Sequence, residues 1–406
     1  MRYTEQQARE KIVETGLDLL RSGLTIRTWG NISARIDDDT ILITPSGRGY
    51  DVLAPEDITL LHLNDMSWEG KYKPSSEKKV HAEIYRQRTD VDYIIHTHQY
   101  MASAVSIAGR DLVLWEEEHV KELGNTVPCA GYGMSSTKML EKAVAECLKE
   151  NHTSNSMLMR AHGALIFGEN KEQTMRRVLM LEQIMKDLYE KKDPEGICRE
   201  KYGDAEAPED LGSSIRTARG ILIHKKTGEY LIKENERTQS VSDRTHWNVY
   251  HMSHEAGCVR HITHPAVMTY SLMGKEMPAV LDDVAQITGY SVPWVDGMDN
   301  PNVSRLLLKH HMVLIGGNGA LVMGPDEAEA EARAQILIKG AYTALYQNAI
   351  GGDFRVSYLD ASLQKTFYER KGRSGARATR RRASFRGPGR GSWPTAPCPR
   401  TLSARG

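Results

Sequence analysis

Two histidines, His96 and His98, stand two residues apart in the run Tyr93-Ile94-Ile95-His96-Thr97-His98. An extended chain sends alternate side chains to one face, so both imidazoles can reach a single metal ion. One His-x-His pattern among 15 histidines is close to what chance provides, so the pair needs its context. A third imidazole, His162, lies in Arg160-Ala161-His162-Gly163. Three imidazoles with an open fourth position describe a catalytic rather than a structural zinc site. Read alone, His162 is better taken as a hydrogen-bonded core histidine than as a ligand. Glu77 follows Pro74-Ser75-Ser76 where a helix should open. Free backbone N–H groups there favour a carboxylate or a phosphate, and the two serines add hydroxyl donors. Ser-Ser-Glu is also an ordinary helix start. Gly30-Asn31 and Ser46-Gly47 can cradle an anion, or they are simply turns.

The elements that position these residues follow from periodicity and breakers. A first helix opens on Thr4 and Gln7, spaced as a capping box, carries Ala8, Ile12, Leu19 and Leu20 at helical spacing, and stops at Gly23. Short strands are expected around residues 30–33 and 40–44, the second ended by Pro45-Ser46-Gly47. A helix over 77–88, the histidine strand over 93–98, a helix over 137–151, a strand over 156–167 and a long helix over 172–191 complete an α/β pattern.

Composition bounds the function classes. The 406 residues suit two or three domains. No apolar run is long enough to span a membrane, and the N-terminus lacks the apolar core of a secretory signal. Five scattered cysteines argue against a disulfide framework and for a cytoplasmic location. The 53 basic and 53 acidic residues cancel, but residues 370–406 hold 11 Lys or Arg and no acid, so residues 1–369 carry a charge of −11. That acidic body argues against nucleic acid as its partner. The basic end, rich in Arg, Gly, Pro and Ser, is expected to be disordered. It reads as an RNA-binding or kinase-target segment, or as a non-native or read-through extension.

Residues 193–214 are acidic and polar and read as a linker, and the chain after residue 214 repeats the chain before residue 193. Thr97-His98 matches Thr263-His264, Ser106–Arg110 matches Ser271–Lys275, and Gly163–Gly168 matches Gly319–Gly324, in the same order. On this alignment His96 meets Ile262, His162 meets Asn318 and Glu77 meets Asp243, which leaves His264 as the one retained imidazole. His261 should then face the opposite side of its strand. The expected organisation is a metal-competent domain over 1–192, a linker over 193–214, a metal-free copy over 215–368 and a basic tail over 369–406.

The ordered set Gly30-Asn31-x-Ser33, Thr44-Pro45-Ser46-Gly47, Pro74-Ser75-Ser76-Glu77, His96-Thr97-His98 and Ala161-His162-Gly163 resembles the class II aldolase/adducin head family, and within it the fuculose-phosphate aldolases. The resemblance spans about residues 5–190, and Val127-Pro128-Cys129-Ala130 falls where that family has a comparable segment. It implies tandem domains, each a mostly antiparallel β-sheet flanked by helices. It implies that His96, His98 and His162 bind Zn2+, with Glu77 as fourth ligand and as acid/base. Asn31, Ser46, Gly47, Ser75 and Ser76 would hold a substrate phosphate. The implied reaction is cleavage of a ketose phosphate to dihydroxyacetone phosphate and an aldehyde through a metal-stabilised enediolate. A methylthioribulose-phosphate-type dehydratase, a 4-epimerase and a non-catalytic adducin-like module are the alternatives. Glu117, in the acidic run Trp115-Glu116-Glu117-Glu118-His119, occupies the position of a proton-donating tyrosine and would be catalytic, or these are solvated surface charges. Homo-oligomers with shared sites are common in the family, so a dimer of this chain would resemble a tetramer.

Overall fold

In a computed structural model, residues 2–25, 29–233 and 240–380 are described, with side chains through 370. The first sheet runs, in spatial order, β4 (Trp68–Glu69), β3 (Thr59–His62), β2 (Thr40–Ile43), β1 (Asn31–Arg35), β5 (Tyr93–Thr97), β10 (Gly163–Gly168), β9 (Ser156–Met159) and β8 (Cys129–Ala130). The second runs β13 (Gly228–Ile232), β12 (Gly220–Lys225), β11 (Ser213–Thr217), β14 (Cys258–Ile262), β19 (Ala320–Gly324), β18 (Met312–Ile315) and β17 (Trp294–Val295). Both sheets are antiparallel except at one edge, where β8 pairs parallel to β9 and β17 parallel to β18. Short ribbons, β6 (Leu112–Val113) with β7 (Thr126–Val127) and β15 (Met277–Pro278) with β16 (Ser291–Val292), complete each copy.

Helices follow the same repeat. In the first copy they are α1 (Glu5–Arg21), α2 (Lys78–Gln87), α3 (Tyr100–Ser106), α4 (Glu117–Leu123), α5 (Lys138–Glu150) and α6 (Lys171–Lys191). After α7 (Pro194–Tyr202), the second copy has α8 (Val241–Met252), α9 (Pro265–Ser271), α10 (Asp282–Thr288), α11 (Val303–His310) and α12 (Glu327–Ala349). The last helix is α13 (Tyr358–Arg380). The capping box of Thr4 and Gln7 forms as its spacing predicts. The expected strand over 156–167 is instead two strands, because residues 160–162 turn the chain back on itself with Ala161 at φ 62°. β1, β2, β5, β9 and β10 are buried along their whole length, since layers cover both faces. Each copy has its own core, around Ile84, Ile94 and Phe167 in the first and Val249, Val259 and Leu321 in the second.

Two expectations about organisation change. The segment 193–214 is not a bare linker: Asp193 caps α7 at Gly196 N, Pro194 occupies the first turn, and Cys198 is buried. The tail expected from residue 369 has helical backbone to Arg380, and the rest of it lies outside the described residues. Residues 1–366 form one compact unit holding both sheets. Among the described residues no helix is long and apolar enough to cross a membrane.

A shared polar triangle gives the register between copies. Ser33 Oγ lies 2.6 Å from His81 Nδ1 and 2.9 Å from Tyr85 OH. Ser214 Oγ lies 2.6 Å from His246 Nδ1 and 3.0 Å from Tyr250 OH. Counting back four residues from each histidine, Glu77 corresponds to Ser242, not to Asp243. In the sheets His96 pairs with Leu165 and His261 with Leu321, within the matching strands GALIFG and GALVMG. The counterpart of His96 is therefore His261 rather than Ile262, and that of His98 is Thr263. The sequence match of Thr97-His98 to Thr263-His264 is one residue out of register.

Candidate metal centre at the junction of the two copies

β5 ends at the site and delivers His96 from its interior and His98 just past its end. The turn between β9 and β10 delivers His162. Glu77 sits at the N-cap of α2. The backbone here is tight. A Cβ on Gly30 would lie 2.5 Å from the His96 carbonyl oxygen, and one on Gly163 would lie 2.3 Å from that of Thr97. Only glycine allows β1 and β10 to approach β5 so closely.

The three imidazoles are buried, and their potential ligand atoms lie within 4.8 Å of one another. His96 Nε2 and His98 Nε2 are 3.0 Å apart. Glu77 bridges the group, with Oε2 3.3 Å from His96 Nε2 and Oε1 3.2 Å from His162 Nε2. Apart from its ion-pair contact with Glu77, the buried His162 Nε2 makes no well-formed hydrogen bond, which suits a metal ligand. The Nδ1 atoms point outward. His96 Nδ1 lies 2.9 Å from the Ala164 carbonyl oxygen, which accepts from it. Three inward nitrogens, each outer nitrogen facing an acceptor, and one carboxylate form a donor set that fits a metal ion.

Burial and charge set the protonation. Burial lowers His96 to about 4 and His98 to about 3. Burial also acts to lower His162, but Glu77 and Asp282 outweigh it and raise His162 to about 10. Burial acts to raise Glu77, yet His162, His96 and His98 hold its carboxyl well below the ordinary value. Without a metal, the bridge is thus a Glu77 carboxylate against a His162 imidazolium.

The expected phosphate residues divide. Pro45 bridges Pro74, with Ser46 N donating to Lys73 O at 2.9 Å and Ser75 N to Thr44 O at 3.0 Å. Ser46, Gly47, Ser75 and Ser76 are so brought together at the start of α2, where the Lys78 ammonium is depressed by burial and by Lys73 and Lys79. Asn31 is committed elsewhere: its Nδ2 donates to Glu77 Oε2 at 2.9 Å, and its Oδ1 meets His81 Nε2. One end of that amide holds Glu77 and the other is engaged by His81, so Asn31 is drawn into the carboxylate's surroundings rather than standing free beside the serines. Glu117 opens α4 in an exposed position, and no hydrogen bond or ion pair joins it to the histidines among the described residues.

The acids that reach the site come from the second copy. Asp282 Oδ2 lies 3.2 Å from His162 Nδ1, and Asp283 Oδ2 lies 3.5 Å from His98 Nδ1. Tyr132 OH, Gln364 Nε2 and Ser135 N all donate to Asp282. Ser135 Oγ also donates to Glu77 Oε1 at 3.2 Å. No sequence motif singles out Asp282, Asp283, Ser135, Tyr132 or His81. Asp282 and Asp283 were findable, since they open the helix that repeats the one beginning at Glu117-Glu118.

The family model for the class II aldolase and adducin N-terminal domain matches residues 10–189 and again 214–345. The chain belongs to this family, twice over. It is similar to the 5-deoxy-D-ribulose 1-phosphate aldolase of Bacillus thuringiensis serovar kurstaki, 37% identical over 170 residues, 41% of this chain and 76% of that protein. It is similar to the L-fuculose phosphate aldolase of Escherichia coli K12, 34% identical over 165 residues, 41% of this chain and 74% of that protein. The crystal structure of L-fuculose-1-phosphate aldolase from Thermus thermophilus matches with a TM-score of 0.39 at 28% identity, covering 46% of this chain and 95% of that one.

Proposed function

We propose that this chain is a zinc-dependent class II aldolase that cleaves a ketose phosphate to dihydroxyacetone phosphate and an aldehyde. The convergence of three buried imidazoles on the Glu77 carboxylate carries the reading. The names of its relatives, both aldolases of sugar phosphates, support it. His96, His98 and His162 would hold the ion, with Glu77 as fourth ligand at rest. When bound, the ion supplies a Lewis acid that polarises the substrate carbonyl and stabilises negative charge as the carbon–carbon bond breaks. Glu77, oriented by Asn31 and Ser135, moves the proton at its carboxylate. Ser46, Gly47, Ser75 and Ser76, under the field of Lys73, Lys78 and Lys79, seat the phosphate away from the breaking bond, where binding energy serves orientation. The test is metal content together with a panel of ketose 1-phosphates and coupled detection of dihydroxyacetone phosphate. Wild type should carry about one zinc per chain, and His96→Ala should lose it. Zinc-loaded protein that releases no dihydroxyacetone phosphate from any member would overturn the cleavage reading.

We further infer that the chain works as a homo-oligomer. Within one chain, α10 of the second copy packs against the site of the first. Its counterpart α4 instead leaves Trp115 87% exposed and Val113 48% exposed beside it. A second chain offers these side chains the second-copy face that corresponds to the metal centre. Light scattering that returns a stable monomer with full activity would refute this.

A further inference from the structure

Every residue expected to bind the metal lies in the first copy, yet two of the three imidazoles are braced by the second. Asp282 and Asp283 are buried at the start of α10, 0% and 1% exposed, and each faces an outward Nδ1 of the histidine cluster. Buried carboxylates are costly unless partnered, and both are. Tyr132, Ser135 N and Gln364 satisfy Asp282. Lys339, fully buried on α12, forms an ion pair with Asp283, and its Nζ also donates to the carbonyl oxygen of His98 at 3.3 Å. One ammonium thus ties the second copy both to the carboxylate behind His98 and to the backbone that carries it. His96 has no such dependence, because its Nδ1 donates to Ala164 within the first copy.

We propose that Asp282 and the Asp283–Lys339 pair are positioning residues for the metal: Asp282 fixes the ring of His162, and Asp283 fixes that of His98. Asp282 accepts the Nδ1 proton of His162 and the Asp283 carboxylate faces His98 Nδ1 at 3.5 Å, an arrangement that favours the tautomer whose Nε2 lone pair faces the ion and makes that nitrogen a better donor. The second copy, which keeps only His261 of the three imidazoles, is on this account the wall that shapes the site of the first. The inference rests on the zinc reading of that site.

The test uses the full chain and reads zinc affinity by chelator competition, apart from activity. Asp282→Ala removes the acceptor and Asp282→Asn keeps a neutral one. Asp283→Asn is made together with Lys339→Met, so that no buried ammonium is left unpaired. Loss of such a partner weakens metal binding by roughly 10- to 100-fold. Asp282→Ala and the Asp283→Asn/Lys339→Met pair should fall in that range, with Asp282→Asn between them and wild type. The visible bands of the cobalt-substituted variants should shift, which a merely structural role does not require. Should Asp282→Ala fail to fold, the Asn variant carries the same comparison. Wild type that binds zinc while all variants bind it within about twofold overturns this inference alone. Wild type that binds no zinc overturns it together with the proposed function.

Discussion

Zinc binding to the metal-stripped protein should expel a proton, and the site sets how strongly. His162 is raised to about 10 by Glu77 and Asp282 despite its burial, while burial keeps His96 near 4 and His98 near 3. At pH 8, then, His162 alone of the three is charged, and about 99% so. A metal takes only the neutral imidazole. Displacing that proton at pH 8 costs about 2.7 kcal/mol, so apparent affinity should tighten about tenfold per pH unit from 7 to 9. Calorimetry in buffers of different ionisation enthalpy would measure the release directly, as about one proton per zinc. Glu77→Gln is the internal control. It removes the leading charge that raises His162, so the pH slope should flatten even as overall affinity falls. If wild type releases no proton at pH 8, or if Glu77→Gln keeps the full slope, the reading of the bridge as carboxylate against imidazolium is wrong.

The same contacts set three further outcomes. A histidine raised on folding stabilises fully below its unfolded value near 6.5, and that contribution is lost as pH rises toward about 10. Denaturant unfolding of the stripped protein should therefore show a decline across that window, and a flat profile would contradict it. Lys339→Met alone leaves the Asp283 carboxylate buried without its cation and should destabilise by about 3–5 kcal/mol, with much of it recovered by adding Asp283→Asn. An additive effect of the two changes would show the pair is not coupled. Ser75→Ala and Ser76→Ala should raise KM for a ketose phosphate about tenfold or more with a smaller change in kcat. An unchanged KM in both would place the phosphate elsewhere.

The parts legible in the sequence were those coded locally. The capping box at Thr4, the breaker after β2 and the apolar run through His96 each announce their element within a few residues. The motifs holding His96, His98, His162 and Glu77 were likewise visible, and the structure brings those four side chains together. Three things were not legible, each for a physical reason. Asn31 reads as a loop amide near an anion site, but its role depends on His81, fifty residues away and brought opposite it only by packing α2 on the sheet. The register of the second copy slips because a Thr-His dipeptide matches by identity, whereas strand pairing fixes which residue faces which. The helix from Pro194 is hidden because it is short and its few apolar residues make no periodic stripe: it buries Pro194 and Cys198 and leaves Ile197 exposed.

Glu117 is exposed, while the acids at the matching place in the second copy face the first copy's histidines, and the reason bears on how the duplication works. A helix that begins with two acids stands at the same place in both repeats, Glu117-Glu118 in α4 and Asp282-Asp283 in α10. In α10 those acids serve the neighbouring copy's histidines rather than their own strand. In α10 the element thus reaches a site across a domain boundary, whereas the acids that open α4 are exposed. The ligand positions of the second copy are Ser242, His261, Thr263 and Asn318, which cannot make a good zinc site. Its fold is nonetheless kept in order by the same Ser–His–Tyr triangle as the first. A copy that has lost its ligands but keeps its scaffold, its two acids and a buried lysine aimed at the other site has a reason to persist. It holds the first copy's imidazoles in place, a task that needs the α10 acids and Lys339 and no metal of its own.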